Sequence, residues 1–313
     1  MNGPLGGRFF VCVTAKIRSA PQAAPGHRYR VIADVNEGRR CSMNLQDYFD
    51  RIRFGASVRP SPDTLAALLR HHVLSIPFEN IDIQLGNPVT TSIEAAFEKI
   101  VMRRRGGWCY EHNGLFAWVL SELGFHVTRV AAAVERGQRG DAALANHLCL
   151  LVHIPSDPDA VYLADVGFGG SLIKPILLKS SQLQQTPFAI SLRQLDDGHW
   201  QFGEESGEES MSFDFLPERA DESVLSNKCF ALQTDIDSSF VLNFVAQQRV
   251  PDAHIILRGR VLSVNSASGR ETRILQSLDE FNDVLRNTFQ LDVPGAAGLW
   301  DRIVERHKDL FDE

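Results

Sequence analysis

A cysteine follows two glycines in the run Arg105-Gly106-Gly107-Trp108-Cys109, and an apolar period begins just beyond it. Leu115, Trp118, Val119 and Leu123 recur at helical spacing, with Gly124 placed to end the helix. Cys109 is therefore expected in a first helical turn, where free N–H groups and the positive dipole end favour a thiolate over a thiol. The glycines allow a tight turn and leave room beside the sulfur. Such a nucleophile needs a base and an orienter. Asn146 to His153 and Ala160 to Val166 read as strands, joined by the turn cluster Pro155-Ser156-Asp157-Pro158-Asp159 into a hairpin. Asp165, in an apolar strand before Gly167-Phe168-Gly169-Gly170, is costly to bury unless bonded. His147 on the neighbouring strand is its natural partner. Cys109, His147 and Asp165 then make a nucleophile, a base and an orienter.

Neighbouring residues fill out this picture. Arg105 and Glu79 each cost free energy if buried alone, so the expectation is a partly buried ion pair holding the Cys109 loop against Phe78-Glu79-Asn80. Asn113 lies one turn beyond Cys109 and can reach Asp165 or a loop carbonyl. Phe78 and Phe168 are either plain core or the walls of an aromatic pocket. Gly167, Gly169 and Gly170 indicate an exposed loop whose N–H groups can approach a phosphate. His147, Cys149, Leu151 and His153 share one strand face, which raises zinc as an alternative. A strand sets ligands along a line, however, and no second Cys/His pair is nearby, so no metal is expected and Cys149 is read as core.

At this point the chain resembles an arylamine N-acetyltransferase. The resemblance rests on Ile76-Pro77-Phe78-Glu79-Asn80, on Arg105 to Cys109 with Asn113, on His147, and on Asp165-Val166-Gly167-Phe168-Gly169. Ser238-Ser239-Phe240 and the Ser277 to Asn287 segment are weaker matches, and the whole covers roughly residues 43 to 290. The family's catalytic Cys, His and Asp fall on Cys109, His147 and Asp165. The resemblance implies a cysteine-protease-like Cys-His-Asp core and acetyl-CoA as co-substrate. It also implies ping-pong transfer to a small aromatic amine or hydrazine, with Phe78, Phe168 and Gly169 at the substrate. A neutral amine is needed for attack, and arylamines are neutral at pH 7 where alkylamines mostly are not. The same three groups also suit a cysteine hydrolase, or a pathway-specific acyltransferase or amide synthase. The intact trio argues against a third alternative, a binding module on an inactive scaffold, which a failure of Cys109 to alkylate selectively would revive. The run Asn227-Lys228-Cys229-Phe230 departs from the family's usual bulky aromatics.

Composition sets the outer bounds. Of 313 residues, 44% are hydrophobic and 23% charged, ordinary for a globular protein, and no apolar window is long enough for a membrane span. A net charge of −7 argues against general nucleic-acid binding. Five scattered cysteines (Cys12, Cys41, Cys109, Cys149 and Cys229) do not form a disulfide framework. A reducing, cytoplasmic setting is expected, with the protein a monomer or weak homo-oligomer.

Residues 1–42 read as an extension, either disordered or an upstream start, with a targeting arm as the functional alternative. Residues 43–124 read as helical and 125–216 as short strands. Residues 217–313 are mixed, starting with a helix from Pro217 to Leu232. The acidic run Gly203 to Glu209 reads as a solvated turn. Helical and strand patterns are segregated, which indicates an α+β fold rather than a doubly wound sheet. The expected parts are an N-terminal helical bundle, a central β-barrel-like domain and a C-terminal α/β lid. Capped, periodic patterning starts near Met43, so a chain beginning there should unfold at the full-length temperature and keep its turnover. Thermal unfolding and rate measurements on both chains test this, and a large loss in both would show residues 1–42 packing against the rest.

Overall fold

Local chemistry sets the first helices. Asn44 caps Leu45–Ile52 by accepting from the Gln46 N–H at 2.8 Å. Ser61 accepts from the Thr64 N–H at 3.1 Å, and Pro62 opens the helix Pro62–Ser75. The next cap is Ser92, whose hydroxyl accepts from the Ala95 N–H. The helix Ile93–Phe97 widens into a π turn at Glu98–Met102, which carries Lys99. Cys109–Glu122 follows, with Gly124 at φ +88° closing it as expected. This computed structural model describes residues 43–56 and 58–311. The expectations for residues 1–42 lie outside the described residues. The described residues form one compact unit.

Two antiparallel sheets follow. The larger runs Ile176–Leu177, Asp157–Leu163, His147–Ile154, His126–Val134, Glu209–Phe215, Trp200–Ser206, Phe188–Gln194, Ser181–Gln185, and curls into a half-barrel. The smaller has five strands in the order Phe78–Glu79, Val245–Val250, Ala253–Arg258, Val261–Ser266, Gly269–Ile274. Its first strand comes from the helical segment, and Phe78 lies opposite Gln247. The mixed fold therefore agrees with the α+β expectation, but the helical segment and the C-terminal segment share a sheet.

Four sequence expectations need correction. The hairpin exists, pairing His147–Ile154 with Asp157–Leu163, but Asp165 lies two residues past the strand rather than within it. The acidic run is a tight hairpin between two strands, turning at Gly207 (φ +64°), and Glu204 within it is buried. Period two puts Glu204 on the same face as Phe202, which is core. Burial pushes the Glu204 carboxyl up to about 8. The helix expected from Pro217 starts at Glu222, after the Asp221 cap. The strands Phe78–Glu79, Ser181–Gln185 and Val245–Val250 were not expected at all.

A buried polar chain crosses the helical layer. The Tyr48 hydroxyl meets His72 Nδ1 at 2.8 Å, His72 Nε2 meets His112 Nδ1 at 2.8 Å, and His112 Nε2 meets the Pro77 carbonyl at 3.2 Å. Burial lowers His112 to about 4 and His72 well below its ordinary value. Between about pH 4 and 6.5 the unfolded chain binds a proton at position 112 that the folded chain refuses. Stability must therefore fall as pH falls through this window. From pH 7 to 5 the His112 share is about 2 kcal/mol. His112→Gln should remove that share, so its stability should drop less over the same interval. Denaturant titrations at the two pH values measure this, and equal pH slopes for the two proteins would exclude His112 as a source.

Candidate active site

Cys109 occupies the first position of its helix, as the apolar period indicates. Gly167 seats the helix start against the loop after Asp165: a Cβ on Gly167 would lie 2.8 Å from Cys109 Cα and 2.6 Å from Asn113 Nδ2. Only a residue without a side chain allows this approach. Asn113, one turn on, is completely buried. Its Nδ2 donates to the Leu148 carbonyl at 2.6 Å and to Asp165 Oδ1 at 2.9 Å, and its Oδ1 accepts from the Val166 N–H at 3.0 Å. One amide thus ties the cysteine helix to the His147 strand and to the Asp165 loop. The expected bond to Asp165 is present, while the carbonyl Asn113 meets belongs to the strand His147–Ile154 rather than to a loop.

His147 Nε2 and Asp165 Oδ2 are 2.5 Å apart and both residues are buried. Asp165 Oδ1 accepts from the Gly167 N–H at 2.7 Å as well as from Asn113, so both carboxylate oxygens are bonded. This answers the cost of burying an aspartate there. The pairing uses Nε2 and leaves Nδ1 as the other proton-carrying position of the ring. The His147 ring lies among aromatics, 5.2 Å from Phe168 and 5.0 Å from Phe213 between centroids.

The thiol differs from expectation. A helix start favours a thiolate, but Cys109 is only 3% exposed and burial pushes its thiol well up. The Leu148 backbone pulls the other way, while Asp165 and Cys229 add to the rise. Desolvation outweighs the dipole here, because partial charges of a single helix end are small beside the loss of water. Burial thus opposes a standing thiolate at this position. Cys149 and Cys229 are also buried and raised, Cys229 to about 12, and Cys149 sits in the main core as expected.

Arg105 meets Glu79 as expected, with Nε and Nη2 donating to Oε1 at 3.2 and 2.8 Å. Three unexpected residues complete the cluster. Lys99 Nζ lies 3.0 Å from Asp82, 2.9 Å from Glu111 and 3.9 Å from Glu79, and Arg105 lies 3.3 Å from Asp82. Burial opposes the Lys99 charge, but Glu111, Glu79 and Asp82 outweigh it and hold the ammonium protonated. Burial raises Glu111, only partly offset by Lys99. Glu111 also accepts from the Trp108 N–H at 3.2 Å, which links the cluster to the residue before Cys109. Glu111 could have been found at the third position of the cysteine helix, where an acid commonly returns to the cap. Lys99 carries no such signal.

Phe78 is buried in the short strand beside Gly107 and packs 6.4 Å from Phe240. Phe168 is half-buried, and the adjoining glycines are buried rather than exposed. Gly169 has φ +84°, and a Cβ there would lie 2.5 Å from Gln247 Oε1. Its carbonyl accepts from His254 Nε2 at 2.7 Å. The loop is thus packed against the smaller sheet, and a small cavity there is lined by Phe78, Val166, Gly169, Gly170, Gln247 and Arg249. Phe78 and Gly169 meet at this cavity, while Phe168 faces His147. Among the described residues no group of three or more His, Cys, Asp or Glu is placed to hold a metal ion. No described helix is long and apolar enough to cross a membrane.

A family model described as N-acetyltransferase matches residues 62–297. An arylamine N-acetyltransferase from Mycolicibacterium smegmatis is 39% identical over 264 residues, spanning 82% of this chain and 95% of the relative. The solved M. smegmatis arylamine N-acetyltransferase superposes with a TM-score of 0.77 at 36% identity, over 84% of this chain and 98% of that one. The Mycobacterium marinum enzyme, solved in complex with CoA, gives 0.75 at 33% identity with the same coverage. This chain belongs to the arylamine N-acetyltransferase family and is a transferase.

Removing one partner of a buried pair strands the other charge. Arg105→Ala should therefore lower stability by about 3 kcal/mol. Arg105→Lys should restore only part, since an ammonium cannot place two donors on Glu79 Oε1. Urea unfolding of the three proteins provides the comparison. Equal midpoints would remove the pair from the forces holding the loop.

Proposed function

We propose that the chain transfers an acetyl group from acetyl-CoA to an arylamine or hydrazine through an acetyl-cysteine on Cys109. The observation that carries this reading is the 2.5 Å His147–Asp165 contact, tied by Asn113 to the helix that Cys109 opens. The CoA complex of the M. marinum relative supports the donor, and the names of the relatives support the acceptor class.

The steps follow from the groups present. His147 takes the Cys109 proton, and Asp165 stabilises the imidazolium that forms. This coupled transfer suits a thiol that burial keeps neutral at rest. The thiolate adds to the thioester carbonyl, and N–H groups at the helix start receive the developing oxyanion. The intermediate expels CoA as its thiolate, which recovers a proton from His147. The amine nitrogen then adds to the acetyl-cysteine, gives its proton to His147, and expels the Cys109 thiolate as the amide forms. Phe78, Phe168 and Gly169 border the acceptor, with aromatic stacking as the attraction. Burial of Cys109 limits water at the acyl-enzyme, which favours transfer over hydrolysis.

Incubation with acetyl-CoA alone should add one acetyl group to Cys109, and an arylamine should remove it as the amide. Cys109→Ser should be inactive, because a serine hydroxyl is a weaker nucleophile at neutral pH. Asp165→Asn should fold but turn over roughly 10³- to 10⁴-fold more slowly, since the His147 tautomer is no longer fixed. Cys149→Ser should keep the reaction. Peptide mapping and amide yield decide the matter. Acetylation elsewhere would move the site, and release of acetate alone with every amine would favour the hydrolase.

A further inference from the structure

We propose that the buried chain Tyr48, His72 and His112 is a positioning relay for the acceptor half of the reaction, acting by fixing the Phe78 ring. This inference rests on the acetyl-transfer reading above. The polarity of the chain follows from its far end. The Pro77 carbonyl can only accept, so His112 Nε2 carries hydrogen and His112 Nδ1 must accept. His72 Nε2 then donates to it at 2.8 Å, which leaves His72 Nδ1 to accept from the Tyr48 hydroxyl. Every link is satisfied in this single arrangement. It requires both rings neutral, as their burial keeps them.

The relay ends beside the proposed acceptor pocket. Pro77 directly precedes Phe78, and the same Pro77 carbonyl accepts from the Gly107 N–H. The His112 ring lies parallel to the Phe78 ring, 8° between planes and 6.4 Å between centroids. Phe78 is therefore held both through its own backbone and across its face. Cys109 shares its helix with His112 but has further anchors of its own in Gly167, Leu148 and Asn113. Two buried imidazoles and a phenol are a costly way to fill space unless their geometry is needed, since an apolar trio leaves no bond to satisfy. What the polar chain adds is direction: it fixes the Pro77 carbonyl where an apolar contact does not.

In ping-pong kinetics kcat/KM for each substrate reports its own half-reaction, which separates the relay from a general scaffold role. His112→Leu should lower kcat/KM for an arylamine by about 10- to 100-fold, the scale of loss from a misplaced binding group. The value for acetyl-CoA, and the rate of Cys109 acetylation without amine, should stay within about twofold. Unsubstituted hydrazine has no ring to stack and should lose less than the arylamine. His112→Gln, whose amide can donate to Pro77 and accept from His72, should recover most of the arylamine rate, and Tyr48→Phe should lie between. Equal losses for both substrates, or none for the arylamine, would overturn the relay. If the wild-type enzyme forms no acetyl-Cys109, the transfer reading itself fails and takes the relay with it.

Discussion

Two buried cations meeting three carboxylates behind the nucleophile are the constraint on which this structure depends. Lys99 and Arg105 come from the π turn and the glycine approach, while Glu79 and Asp82 come from two short elements and Glu111 from the first turn of the Cys109 helix. None of these charges is tolerable alone in so little water, so each element is held wherever its partner is. The result fixes the strand Phe78–Glu79 beside Gly106-Gly107 and the Trp108 N–H over Glu111. Arg51 reinforces the same place, giving its three guanidinium nitrogens to the carbonyls of Ile100, Ser75 and Arg105. A turn rich in glycine has little stiffness of its own, and its surroundings supply it.

The electrostatics around Cys109 then make sense as separation of tasks. The charge cluster lies behind the helix start, and among the described residues no cation bonds the sulfur to hold a thiolate. Burial and Asp165 both disfavour that anion. In the proposed transfer, proton movement to His147 supplies the charge when a thioester is there to consume it. An imidazole held by a doubly bonded carboxylate among aromatic rings is suited to this, because its orientation is set on every side.

Much of the site was legible because its chemistry is local in sequence. A cysteine after two glycines at the start of an apolar period marks a helix start, and an aspartate before a glycine loop marks a buried acid in need of partners. The Ser61-Pro62 and Ser277 caps are equally local, each a hydroxyl accepting from an N–H three residues on. What stayed hidden is long-range. Lys99 and Asp82 look like ordinary surface charges until the chain folds them together. The strand Phe78–Glu79 is too short to show any alternation, and its partner at Val245–Val250 lies far along the chain. Glu204 was hidden differently: a run of glutamates reads as solvated, although its spacing from Phe202 already placed it on the inner face. The opposition of burial to the thiolate was missed because a dipole can be read from sequence and the depth of burial cannot.

The pairing of Phe78–Glu79 with Val245–Val250 also orders events in time. A chain is made from its amino end, and segments fold as they emerge. Cys109, His147 and Asp165 all appear before the strand that flanks Phe78, and Val245 donates to the Asn80 side chain across 165 positions of chain. Until that late strand arrives, Phe78 and Glu79 have no partner on one edge. A nascent copy thus carries its reactive groups without the frame that aims them. Completeness of the polypeptide becomes a condition for competence, and the fold itself acts as the inspector.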